Sequence, residues 1–210
     1  MKRADFMKHG NFEDLEPEVR EWINQIRNVS EALFLHMVDF VDKGVQCESD
    51  YIRIYPRPWV GEKNFLFTFF KEIKSPEVDK VTCAIPENYI DLLLSMNGAH
   101  IYSMELFGIA SRIGQANLID HSKFQARDIC YSNERLKRQY GLSDDYTYFA
   151  VRPYSFTENV GYFFDSAGNI SARLKNGSVV GKWSTLEQFF QEELEKSKSY
   201  EKEQNRLHSH

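Results

Sequence analysis

The stretch IPENYIDLLLSMNGAHIYSMELFGI, Ile85 to Ile109, decides how the fold is read. Tyr89, Leu92, Leu93 and Met96 recur at three- and four-residue steps, the spacing of one helical face. Pro86 suits the first turn, where its fixed φ is already helical and its missing N–H leaves no bond unmade. Asn97-Gly98 supplies the stop, because Gly98 tolerates the left-handed backbone on which helices commonly end. The spacing predicts a helix from Ile85 to Met96, a loop, and a strand over Leu106 to Ile109. Tyr89 and the leucines seat this helix on a sheet, so Pro86, Tyr89, Asn97 and Gly98 are fold determinants rather than reactive groups.

Working toward the C-terminus, Asp128 to Gln139 reads as a polar helix or turn-rich segment, and a meander follows. Tyr148 to Arg152 and Gly161 to Asp165 are strand-like, Ser166-Ala167-Gly168-Asn169 is a turn, and Ile170 to Leu174 pairs back. Asn176-Gly177 is a two-residue hairpin signal leading into Ser178 to Trp183. Ser184 with Glu187 matches a capping box, and Leu186, Phe189, Phe190 and Leu194 give the closing helix its buried face. Beyond Ser197 the chain is charged and lacks apolar periodicity, which predicts a frayed end.

Toward the N-terminus, Val19, Trp22, Ile23, Ile26, Val29, Leu33, Met37 and Phe40 keep helical spacing, which predicts one long helix from Pro17 to Lys43 ended by Gly44. Tyr51 to Tyr55 alternates, and Pro56 and Pro58 argue for an edge strand there. Phe65 to Phe70 is compatible with a buried strand or the start of a helix, and strand is preferred. The fold class expected is α+β, a mainly antiparallel sheet packed with a long N-terminal helix, a short Pro-initiated helix and a C-terminal helix. One domain over residues 14–197 is expected, with flexible tails at 1–13 and 198–210.

Composition narrows the function classes. The chain has 210 residues, ample aromatic material for one core (16 Phe, 11 Tyr, 3 Trp) and a net charge of −5. An acidic chain is a poor non-specific ligand for nucleic acid and favours a cationic protein partner. Ile109 to Tyr140 carries six Lys or Arg against three Asp or Glu, but scattered as on a solvated face. No apolar run reaches the ~20 residues of a membrane span. Cys47, Cys83 and Cys130 are odd in number and widely spaced, so they are read as reduced, mostly buried thiols of a cytoplasmic protein. The N-terminus, with Lys2, Arg3 and Asp5, lacks the apolar core of a secretory signal.

The Ile85 to Ile109 string resembles the signature of the SUKH superfamily, which includes a yeast cell-wall assembly regulator and many bacterial immunity proteins. The shared order is an apolar-Pro start, an aromatic two or three residues on, a leucine-rich turn, Asn-Gly and a short strand. The later part agrees: a strand at Tyr148, then GYFFDSAGNI, then Lys182-Trp183 and Ser184-Thr185-Leu186-Glu187. The resemblance covers Val81 to Glu195. Residues 45–80 depart from it as a possible insertion. It implies an immunity protein that binds a cognate bacterial toxin and blocks it by contact, or alternatively a regulatory scaffold that docks cellular proteins.

Reactive constellations are few. There is no G-x-S-x-G elbow and no phosphate-cradling glycine cluster before a helix. Asp165 to Asn169 resembles a calcium loop only superficially, since Ala167 and Gly168 occupy the wrong positions. His36 with Asp39 gives at most two metal ligands. Cys83 or Cys130 with His100 or His121 could form a nucleophile pair only if the fold brought them together. The reading taken is therefore not an enzyme, with no cofactor, metal or small-molecule substrate. Candidate contact residues are the acids Asp144, Asp145 and Glu158 with the aromatics Tyr154 and Phe156, a mixture suited to steering and anchoring a basic partner.

Overall fold

The computed structural model describes residues 12–41, 44–47, 51–56, 65–71, 83–109 and 126–208. The helices are α1 (Pro17–Val29), α2 (Glu31–Val41), α3 (Glu87–Ser95), the single turn α4 (Ile129–Tyr131) and α5 (Leu186–His208). Among the described residues nine strands lie between and after them: β1 (Val45–Cys47), β2 (Tyr51–Pro56), β3 (Phe65–Phe70), β4 (Ala99–Ile101), β5 (Met104–Leu106), β6 (Thr147–Pro153), β7 (Asn159–Phe164), β8 (Ile170–Arg173) and β9 (Val179–Trp183). They form one antiparallel sheet whose spatial order is the chain order. The α+β class with a mainly antiparallel sheet is thus the one the sequence predicts.

Strand alternation divides the core into two layers. On one face, rings join the sheet to four helices: Trp22 of α1 meets Phe69, and Phe40 of α2 meets Phe67. Tyr89 of α3 lies 5.2 Å from Phe149, and Phe189 of α5 lies 5.0 Å from Tyr162. The opposite face of β6 and β7 is covered by α4 and the π and 3-10 turns that continue it to Tyr140, with Tyr140 against Phe163 and Tyr148. Gly161 makes that layer possible: a Cβ there would sit 2.8 Å from Tyr140 Cζ.

The signature residues act as fold determinants. Pro86 caps α3 rather than entering it, and the Tyr89 hydroxyl donates to the Phe107 carbonyl between strands. Asn97 imitates a strand neighbour, accepting from Ile109 N (2.7 Å) and donating to Ile109 O (2.9 Å). Gly98 has φ +82°, and a Cβ would meet Ala126 Cβ, Leu106 O and Gly108 N within 3 Å, so both the turn and the packing require glycine here.

Several expectations need correction. The predicted Pro17–Lys43 helix is two helices broken at Ser30, whose backbone is extended (φ −157°, ψ 117°). Its hydroxyl accepts from Leu33 N and donates to Glu187 Oε2 at 2.6 Å, so a residue hidden in the apolar rhythm acts as a cap. β2 is not an edge strand: it pairs with both β1 and β3, and Pro56 is tolerated because it is the last residue. The 106–109 strand is instead a hairpin of two three-residue strands, β4 and β5, turning at Tyr102 (φ +52°). Residues 45–47, 51–56 and 65–70 continue the same sheet, with Val45, Ile52, Ile54, Phe67 and Phe69 in the common core.

The turns and the last helix also differ. The Asn176-Gly177 hairpin uses a three-residue loop, closed by Leu174 N to Ser178 O with only Gly177 left-handed, and the 165–169 turn repeats that geometry. The α5 cap shifts by one residue: Thr185 Oγ1 accepts from Gln188 N, while Gln188 reaches back to Ser184 N. Glu187 is thereby released to cap α2, accepting from Ser30 Oγ and from Ala32 N at 3.2 Å. Rather than fraying after Ser197, α5 continues to His208, with Ser197 and Glu201 buried and Glu195 3.3 Å from His36. Across the expected boundary between the 1–13 tail and the domain, Phe12–Asp14 forms a 3-10 turn and Phe12 packs on Phe34.

Glu187→Ala should unfold at lower denaturant than the parent, with a loss of about 1–2 kcal/mol, because the α2 terminus loses an acceptor at a part-buried junction. An unchanged urea midpoint would show that water replaces this carboxylate fully.

Candidate protein interface

The five contact residues expected from sequence fall into two groups. Asp144 and Asp145 precede β6, whereas Tyr154, Phe156 and Glu158 follow it in the β6–β7 loop. A seven-residue strand lies between them, so the groups sit about 20 Å apart at opposite ends of the sheet. They do not form one patch.

The two acids before β6 serve the local turn. Asp144 Oδ1 accepts from Lys137 Nζ at 3.2 Å, and the same ammonium donates to Tyr146 O. Asp145 accepts from Ser143 Oγ. Tyr146 is taken up by Arg173, whose guanidinium lies 4.9 Å over its ring.

The β6–β7 loop is built differently. Tyr154 N and Ser155 N both donate to Glu158 O, at 2.8 and 3.1 Å, which closes the loop on itself. With the chain so fixed, Phe156 is 77% exposed and Tyr154 46% exposed, with neither ring in the core. The base is anchored by Arg152, which donates to Pro153 O and to Glu193 Oε2 at 2.9 Å on α5. Tyr162 donates to the same carboxylate oxygen, and Lys196 donates to the other. Burial alone would raise the Glu193 carboxyl, but Arg152, Lys196 and Tyr162 together hold it below the usual carboxylate range. Burial, aided by Glu193, pushes Tyr162 well up. Two exposed aromatic side chains thus sit on a backbone-closed loop with an ion-paired base.

Beside this base lies a polar cleft of about 280 Å³ between the Tyr140–Tyr148 layer and Pro153, Asn159 and Lys175. Burial holds Tyr148 far above ordinary phenol values, so its hydroxyl stays neutral. Arg127 pairs with Glu105 at 2.7 Å, with His100 3.9 Å from the same carboxylate.

No protein family, curated protein or solved structure matches this chain.

The candidate nucleophiles are committed elsewhere. Cys83 and Cys130 form a disulfide, Cα to Cα 5.3 Å, which corrects their reading as reduced thiols and leaves neither to pair with a histidine. Two cysteines far apart in sequence give no pairing signal, because only the fold brings the α3 approach beside α4. Cysteine usage therefore no longer argues for a reducing compartment, while Cys47, expected to be mostly buried, is exposed. His36 shares a hydrogen bond with Tyr102 through Nδ1 at 2.9 Å, and burial lowers its pKa. Among the described residues, no group of three His, Cys, Asp or Glu is placed to hold a metal ion. Asp165 spends its Oδ1 on Ala167 N and Asn169 N, as a hairpin carboxylate. His121 with Asp120, and His210, lie outside the described residues. No described helix is long and apolar enough to cross a membrane.

Sequence reasoning placed a strand at Ser178 to Trp183, where β9 lies, but gave it no contact role. Val179 and Val180 are 42% and 37% exposed on the terminal strand of the sheet. The signal was present: Ile170 to Trp183 holds Arg173, Lys175 and Lys182 without one Asp or Glu, inside an acidic chain.

Proposed function

We propose that this chain is a SUKH-type immunity protein, which binds a cognate bacterial toxin and neutralises it by contact, without catalysis of its own. The observation that carries the contact half is the β6–β7 loop, with Phe156 and Tyr154 exposed on a backbone-closed turn. Aromatic anchors on a preordered loop lose little entropy on docking and typically dominate interface energies. The toxin half rests on the sequence resemblance of Ile85 to Ile109 and of the meander and closing helix after Tyr148.

The test is co-expression with the toxin encoded beside this gene. Growth should be rescued and a one-to-one complex isolated. A Tyr154→Ser, Phe156→Ser variant should lose about 2–4 kcal/mol of affinity, roughly thirty-fold or more, mainly through faster dissociation. Asp144→Lys with Asp145→Lys, at the far end of β6, should leave the dissociation rate unchanged. Absence of rescue and of complex would remove the immunity reading, and full affinity in the serine variant would move the interface off this loop. A scaffold for cellular proteins would instead copurify with host factors and rescue no toxin.

A further inference from the structure

We propose that the outer edge of β9 is a second docking site, which takes an extended acidic segment of a partner protein as a tenth strand. In the sheet order β9 is terminal, bonded to β8 alone among the described strands. An open edge offers unpaired backbone donors and acceptors, and proteins usually blunt it with a proline, a bulge or an inward charge. β9 has a register shift near its start, but its sequence, VVGKW, has no proline, and its two leading valines are exposed. One face is already backed by α5 through Trp183 and Phe189, 5.5 Å apart. The edge is therefore rigid and accessible together, the condition for strand addition.

Charge selects the occupant. The β8–β9 hairpin carries three cations and no acid, in a chain of net −5. Beside it a cavity of about 370 Å³ is lined by Arg173, Lys182, Tyr146 and Ser171. Asp165 also borders the cavity, but its carboxylate is turned onto the amides of its own loop. An incoming strand with alternate Asp or Glu would place carboxylates on the face that Arg173 and Lys182 share, and its intervening β-branched residues on the opposite face, that of Gly181 and Trp183. A second copy of this chain is the poorer occupant, because β9 against β9 sets the same cationic hairpin against itself. The site differs from the 154–158 loop and its test uses no toxin, so either proposal can fail without the other.

The experiment pans a displayed library of random decapeptides against the intact protein. Enriched peptides should carry two or more acids alternating with Val, Ile or Thr, and binding should slow amide exchange at Val179 to Lys182. Affinity should fall about ten-fold or more in K175E/K182E, and again when salt rises from roughly 0.05 to 0.5 M. Circular dichroism of the variant checks that it folds, and Val180→Ser, which leaves every charge in place and removes an apolar contact, should weaken binding as well. Enrichment of neutral or basic peptides, binding insensitive to both variants, protection elsewhere, or no enrichment would overturn the proposal. Protection of β9 that appears with protein concentration alone would assign the edge to a second copy instead.

Discussion

Opening the Cys83–Cys130 disulfide is expected to lower stability by about 4 kcal/mol, because the bond closes a loop between residues 47 apart. Cross-linking restricts the unfolded chain, and the gain grows slowly with loop length. For a chain of this size, that loss lowers the melting temperature by roughly 8–16 °C. The folded state should survive it, since Cys130 lies in a segment held independently. Asn133 bonds Tyr148 N and Tyr148 O, Asp128 caps α4 through Tyr131 N, and Thr147 Oγ1 donates to Ala84 O. The comparison is Cys83→Ser/Cys130→Ser against the oxidised parent in a thermal scan, with the reduced parent expected to match the double variant. Thiol titration in denaturant should find two fewer groups before reduction than after. Equal melting temperatures would show that the unfolded chain gains no freedom when the bond opens.

That bond also shows where the sequence stops being legible. Helices and strands announce themselves through periodicity, so the Tyr89 helix and the C-terminal meander were readable from side-chain spacing, whereas the six residues 65–70 were too few for spacing to separate strand from helix. The breaks were not readable either. Ser30 interrupts a stripe that passes through it without change of phase, and its role as a cap becomes visible only when Glu187, far along the chain, arrives to accept from it. β4 and β5 have three residues each, too short for alternation to register. The far end of α5 lacks an apolar face because its later contacts are polar, Glu195 meeting His36 and Ser197 and Glu201 buried. At the candidate site, the exposed aromatics of the 154–158 loop were legible as a turn rich in rings. Their separation from Asp144 and Asp145 was not, because it depends on the direction and length of β6. The basic β8–β9 hairpin was legible in composition but had no meaning until its strand proved to be the edge.

Glu193→Leu is expected to destabilise the fold by about 3–5 kcal/mol, because it strands the Arg152 guanidinium in the core with no carboxylate. Glu193 is 1% exposed and Arg152 8%, so water cannot replace the lost partner. The loss belongs to the uncompensated charge, not to an intrinsic strength of the pair. A triple replacement, Arg152→Met, Tyr162→Phe and Glu193→Leu, which removes every buried polar member and leaves only the half-exposed Lys196, should therefore recover most of what the single change loses. If single and triple variants are equally unstable, the cluster stabilises by direct attraction and this account is wrong. Titration separates the two further. Glu193 is held below its unfolded value, so its contribution is complete above pH ~4.5 and is lost as pH falls through the folded value, where protonation breaks the pair. Glu193→Gln should flatten the acid limb of the stability curve below that pH. The parent and the variant should converge there, since the parent then carries a neutral Glu193 as well. Because Arg152 also donates to Pro153 O, the same acidification loosens the base of the 154–158 loop, and partner affinity through Phe156 should decline in the same pH range as stability.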